Sequence, residues 1–160
     1  MRIAIVCNDT RGGVQPYVAL GLGLKRAGHD VRALAPGGLE TMFTEAGVEA
    51  TALTGSVDDL RTLVSGVAER GSLAAMRLSV RELPRRIETW TREALAVCEG
   101  ADIVTGGVGG MVVGLSAAEK AGARFVETHL QPVGRPTGDY PGVLAPHVPP
   151  WPERQWRLLS

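Results

Sequence analysis

The chain has 160 residues, 44% of them hydrophobic, which is enough for one domain with a real core and too little for two of ordinary size. Lys plus Arg and Asp plus Glu each number 17, so the formal net charge is zero. A neutral chain gives no electrostatic reason to expect nucleic acid as a partner, nor an anionic membrane surface on charge alone.

The first residues are apolar, but Asn8, Asp9 and Arg11 interrupt them too soon for a signal segment or a membrane span. They read as a first strand over 3–7. A polar turn over 8–13 leads into a helix over 14–27, with Pro16 in its first turn and Gly28 as its stop. A second strand over 31–35 is closed by Pro36, Gly37 and Gly38. A short helix over 39–46 stops at Gly47, and a third strand covers 49–53. Helices over 57–69 and 73–98 follow, the second kinked or broken near Pro84. A fourth strand over 103–105 passes through a loose turn of Gly106, Gly107, Gly109 and Gly110 into a helix over 111–121, and 124–127 is a fifth strand. This alternation predicts an α/β fold: a Rossmann-like three-layer sandwich on a parallel sheet with right-handed crossovers.

After His129 the prolines at 132, 136, 141, 146, 149, 150 and 152 exclude a regular element before Trp151. Residues 153–160 read as the start of a helix, so the chain is expected to stop short of a further domain. Cys7 and Cys98 lie far apart with no CxxC partner, which fits reduced, buried thiols and a cytoplasmic location. No metal-ligand cluster is visible in the sequence.

In an open parallel sheet, ligands bind beyond the carboxyl ends of the strands. Three segments fall at that edge: 8–13, 106–110 and 128 onward. The first continues Asp9-Thr10-Arg11-Gly12-Gly13-Val14-Gln15-Pro16, then Ala19-Leu20, Leu24, and Ala27-Gly28-His29 with Val31. This resembles the start of the bacterial and fungal UGT-like glycosyltransferases, among them sterol glucosyltransferases and enzymes that glycosylate antibiotic aglycones. Their pattern is G-S/T-R-G-D-V-x-P, a helix with A-L-x-x-x-L, and A-G-H-x-V. Glu45-Ala46-Gly47-Val48 and Gln131-Pro132 also fit that style.

The resemblance implies one lobe of a GT-B fold: residues 1–160 as the amino-terminal, acceptor-binding domain, with a carboxy-terminal donor-binding domain as its partner. It implies transfer of a hexose, with inversion, from a UDP- or dTDP-sugar to a hydroxyl of a lipid, sterol or natural product. No cofactor or metal is required by that scheme. The isolated chain should then be inactive. A lipid acceptor would add peripheral membrane contact, and a homodimer stays open.

One position departs from the family. The acid that follows R-G, the family's proposed base, is Gly13 here, and glycine cannot accept a proton. Asp9 could turn inward and substitute, contact the acceptor, or serve only as a turn aspartate bonding backbone N–H groups. His129 could act as base, shape an acceptor pocket, or play a structural part. Thr10 and Arg11 open the first helix, and Arg11 could reach a donor phosphate, pair with a carboxylate across the cleft, or fix the loop by a local salt bridge. Gly12 and Gly13 permit close approach of a ligand. Gly107, Val108 and Gly109 could admit an acceptor or cradle a phosphate, or merely start a helix; the spacing is not that of a P-loop. His29 sits at the opposite edge and reads as structural. Arg77, Arg81 and Arg85 form a stripe, solvated or rimming an acceptor entrance.

Three readings follow. The first is an inverting glycosyltransferase half, and the second is a catalytically silent relative that binds an acceptor or partner. The third, an unrelated dinucleotide-binding domain, is disfavoured because no G-x-G-x-x-G follows Cys7 and no acid ends the second strand.

Overall fold

A computed structural model describes residues 1–68 and 71–130. Its elements alternate as predicted: β1 (Arg2–Val6), α1 (Arg11–Arg26), β2 (Asp30–Pro36), α2 (Thr41–Glu45), β3 (Glu49–Leu53), α3 (Val57–Ala68), α4 (Ser72–Cys98), β4 (Ile103–Gly106), α5 (Val108–Ala121) and β5 (Arg124–Glu127). The strands form one parallel sheet in the order β3-β2-β1-β4-β5. In register, Ile5 of β1 lies beside Ala33 of β2 and Thr105 of β4. The chain divides into two units, Met1–Thr128 and His129–Ser160. Of the second, only His129 and Leu130 are among the described residues, so the proline-rich segment, His147, Trp151 and Trp156 lie outside them.

The near-continuous apolar character of β1 follows from burial on both faces. Ile5 and Cys7 point to one layer, where Val14 and Tyr17 of α1 and Phe43 of α2 complete the core. Ala4 and Val6 point to the other, against Trp90, Ala94 and Val97 of α4 and Val113 and Ala117 of α5. Helices thus cover both sides of the sheet, as the predicted three-layer sandwich requires.

Two helices begin three residues earlier than the sequence suggests: α1 at Arg11 rather than 14, and α5 at Val108 rather than 111. The predicted loose turn of four glycines is therefore corrected, because Gly109 and Gly110 are helical. Pro16 moves accordingly from the first turn to the second. The expected break at Pro84 is also absent, and α4 runs unbroken for 27 residues. Pro84 withholds the N–H that Val80 O would accept. Val80 is exposed, so water can serve that carbonyl instead.

Helix α4 outruns the sheet. At about 1.5 Å per residue it is roughly 40 Å long, against about 23 Å for the seven-residue β2. Its carboxyl end is fixed where β4 begins, by Ala101 N–H to Cys98 O at 3.0 Å and Asp102 N–H to Arg2 O at 2.8 Å. The surplus therefore projects past the carboxyl edge of the sheet.

Candidate active site

The order β3-β2-β1-β4-β5 reverses direction between β1 and β4. Connections leave these two neighbouring strands to opposite faces of the sheet and open a crevice at their carboxyl ends, where ligands of such sheets sit. The β1–α1 segment and the amino end of α5 meet there, which brings together two of the three segments singled out from the sequence.

The β1–α1 segment is held from below. Cys7 N–H donates to Leu34 O at 2.8 Å, and the Asn8 side chain is buried. Asp9 and Thr10 then emerge into solvent. Thr10 takes the N-cap position of α1 without a side-chain cap bond; its carbonyl accepts from Gly13 N–H at 2.9 Å and Val14 N–H at 3.0 Å. Asp9 Oδ1 accepts the Thr10 N–H at 2.7 Å. The rest of that carboxylate lies over Gly13: a Cβ built on Gly13 would fall against Cγ and Oδ2 of Asp9 and within 2.8 Å of Asp9 Cβ. Arg11 and Gly12 are exposed on the same turn.

The glycines at α5 have a different reason. A Cβ on Gly109 would strike Asn8 O, and one on Gly106 or Gly110 would strike Val6 O. A Cβ on Gly107 would meet the Tyr17 hydroxyl. The missing side chains let α5 begin directly against the backbone of β1 and its loop. The side-chain direction at Gly109 is filled by a peptide carbonyl. Val108 stands exposed at this end.

Sequence reasoning missed a buried tie beside the crevice. Tyr17 Oη donates to Thr128 O, and Thr105 Oγ1 lies 3.0 Å from Thr128 Oγ1 while donating to Val126 O at 2.8 Å. The available signal was Tyr17's place three residues after Val14, on the buried face of α1. Burial raises the Tyr17 hydroxyl above its ordinary 10.0, and burial together with the Asp9 charge pushes the Cys7 thiol up. Both stay protonated near neutrality, so neither is a ready base or nucleophile. Of the titratable side chains on the β1–α1 segment, Asp9 is the one with the chemistry and the exposure to accept a proton.

His129 opens the second unit of the chain, directly after Thr128. His29 lies between α1 and β2 at the opposite edge, its N–H bonded to Leu24 O at 3.1 Å. Of the arginines on α4, Arg77, Arg81 and Arg85 are exposed, whereas Arg86 turns inward and donates to Gly55 O at 2.9 Å. Trp90 Nε1 donates to the carbonyls of Thr54 and Gly55, both at 2.9 Å, and Glu93 Oε2 accepts the Thr54 N–H at 2.9 Å. One face of α4 thereby fixes the β3–α3 loop.

The amino half of α4 carries an uncovered apolar stripe: Leu73, Met76, Val80 and Leu83 are 59%, 64%, 67% and 40% exposed. The spacing continues the face that packs the core at Ile87, Trp90 and Ala94. The core seam of the helix thus runs on beyond the carboxyl edge. A separate hollow of about 420 Å³ lined by Leu95, Glu99 and Lys120 lies at the other ends of α4 and α5, away from the crevice. Among the described residues no group of His, Cys, Asp and Glu could hold a metal ion, and no helix is long and apolar enough to cross a membrane.

No protein-family model matches the chain. It is 38% identical over 108 residues to the O-mycaminosyltylonolide 6-deoxyallosyltransferase of Streptomyces fradiae, covering 65% of this chain and 26% of that one. It is 30% identical over 136 residues to the sterol 3-beta-glucosyltransferase of Debaryomyces hansenii, covering 82% of this chain and 8% of that one. The chain thus spans only a small part of the length of these relatives. Among solved structures, the Streptomyces glycosyltransferase SsfS6 complexed with thymidine diphosphate superposes with a TM-score of 0.61 at 25% identity, over 85% of this chain and 40% of that one. The calicheamicin glycosyltransferase CalG4 shares the fold, with a TM-score of 0.53 at 18% identity over 99% of this chain and 35% of that one. The homologues are glycosyltransferases and the fold neighbours are GT-B enzymes, and the chain matches the UGT-like amino-terminal domain of that family.

Proposed function

We propose that this domain is the acceptor-binding half of an inverting glycosyltransferase, which moves a hexose from a nucleotide-sugar to a hydroxyl of an apolar natural product, sterol or other lipid. The observation that carries the reading is the placement of Asp9 at the β1/β4 switch point of a domain whose homologues are glycosyltransferases. The exposed stripe of Leu73, Met76, Val80 and Leu83, projecting past the same edge, supports an apolar acceptor. Since SsfS6 was solved with thymidine diphosphate, a dTDP-sugar is the first donor to try and a UDP-sugar the second.

In this scheme a carboxylate or imidazole takes the proton of the acceptor hydroxyl as its oxygen attacks the anomeric carbon. The new C–O bond forms on the face opposite the departing nucleoside diphosphate, which leaves with the electron pair of the broken C–O bond. Asp9 and His129 are the candidate bases. Arg11 and Gly12, beside Thr10 and Gly13 at the amino end of α1, offer backbone N–H groups and a guanidinium to anionic oxygens. Gly107, Val108 and Gly109 belong to the wall facing them. A carboxy-terminal domain would supply most donor contacts, so residues 1–160 alone should not turn over. A lipid acceptor would add peripheral membrane contact. The cytoplasmic location and a homodimer belong to the same proposal.

Gly13 favours a second reading, a silent relative that binds without transfer. Sugar transfer by the full-length protein, with dTDP- and UDP-sugars against a panel of hydroxylated macrolides and sterols, separates the two. Turnover that is lost in Asp9→Ala or His129→Ala supports the enzyme and names its base. Acceptor binding without turnover supports the silent relative, and neither binding nor turnover would sink both.

A further inference from the structure

We infer that Asp9 and Gly13 form one seat for a single carboxylate, filled from position 9 and kept open by the glycine at position 13. The activity arm of this inference rests on the glycosyltransferase reading above; its steric arm does not. Gly13 has no conformational need to be glycine, since it lies within α1 and is not among the glycines of positive φ. Glycine is a poor helix former, so something other than backbone freedom must favour it there. Its neighbour isolates the cause. A Cβ on Gly12 would meet nothing within 4 Å, whereas one on Gly13 would run into the Asp9 carboxyl group and come within 2.8 Å of Asp9 Cβ.

The Asp9 side chain is not idle in this place. Its Oδ1 is engaged by the Thr10 N–H at 2.7 Å, so moving aside would break a bond. Helix α1 has no acidic residue in its first turn, and Asp9 supplies the negative charge that a helix amino end favours. A carboxyl group rooted at residue 13 would have to start inside the volume that the Asp9 carboxylate fills. Positions 9 and 13 are thus alternative roots for one group and cannot both bear it. Gly13 is a positioning residue for Asp9.

The test is a substitution cycle in the full-length protein: Gly13→Asp, Asp9→Gly, and the two combined, each read by thermal unfolding and by sugar transfer. Gly13→Asp alone should lower Tm and cut transfer about tenfold or more. Asp9→Gly alone should lower Tm modestly, through loss of the bond to Thr10 N–H and of the charge at the helix end, and cut transfer about a hundredfold or more. The exchange of both should restore Tm and bring transfer back to within about tenfold of wild type. Gly13→Ala gives a charge-free check: it should lower Tm beside Asp9 and leave it unchanged or raise it in the Asp9→Gly background. Additive Tm changes around the cycle would overturn the shared seat. A folded exchange variant as inactive as Asp9→Gly would overturn the claim that the seat holds the working carboxylate. If the wild type transfers no sugar, the glycosyltransferase reading fails while the Tm cycle still decides the seat.

Discussion

Helices α1 and α5 both open on glycines at the same edge of the sheet, and the glycines do different work. At α1 the missing side chain of Gly13 is replaced by a carboxylate, a group that can move a proton. At α5 the missing side chains of Gly109 and Gly110 are replaced by peptide carbonyls, which only let the helix sit closer to β1. A glycine run at a ligand edge is therefore not one signal: what fills the vacated space separates chemistry from packing.

The contrast can be broken by substitution. The largest effect on stability should come at α5. In Gly110→Ala the new methyl meets Val6 O and lies 2.8 Å from Val6 C, backbone that cannot turn aside, so the domain should lose about 3 kcal/mol in denaturant unfolding. Loss below about 0.5 kcal/mol would show that α5 is not wedged against β1. Tyr17→Phe should cost about 1 kcal/mol, since Thr128 O loses its donor while the ring still packs. The smaller effect at α1 has the opposite sign: Gly12→Ala faces open space and should stabilise by about 0.5 to 1 kcal/mol. A destabilised Gly12→Ala would mean that the first turn is not helical.

The weakest lever is pH. Burial pushes the Cys98 thiol from 9.0 up to about 11, so the folded state keeps a proton that the unfolded chain loses first. The stability this contributes is complete below pH 9 and disappears as pH rises through about 11. Denaturant midpoints should fall across that window and fall less in Cys98→Ala.

Most of the architecture was legible because it rests on local signals. The bounds of β3 and β5 agree with the residue pattern, and Gly28 and Gly47 take the positive φ that ends α1 and α2. The misses fall on glycine and proline. Gly12, Gly13, Gly109 and Gly110 read as loop by propensity and are helical, the last two where α5 packs directly on the β1 backbone and its loop. Pro84 read as a break, yet α4 runs through it unbroken, with Val80, whose carbonyl it strands, on the exposed side of the helix. For the site, the motif singled out the β1–α1 loop, and the fold argument put that loop at the carboxyl edge, where the structure has it. That Asp9 fills the space above Gly13 could not be read from the string, since it depends on the angle at which the loop enters α1.

The measurement that bears most directly on this account is the rate of sugar transfer by full-length Asp9→Asn beside wild type, with a dTDP-sugar and a hydroxylated macrolide. Asparagine keeps the shape and the bond to Thr10 N–H but cannot take the proton. The account predicts unchanged folding and a kcat about a hundredfold lower or more. An Asp9→Asn enzyme as fast as wild type would contradict it and move the base elsewhere.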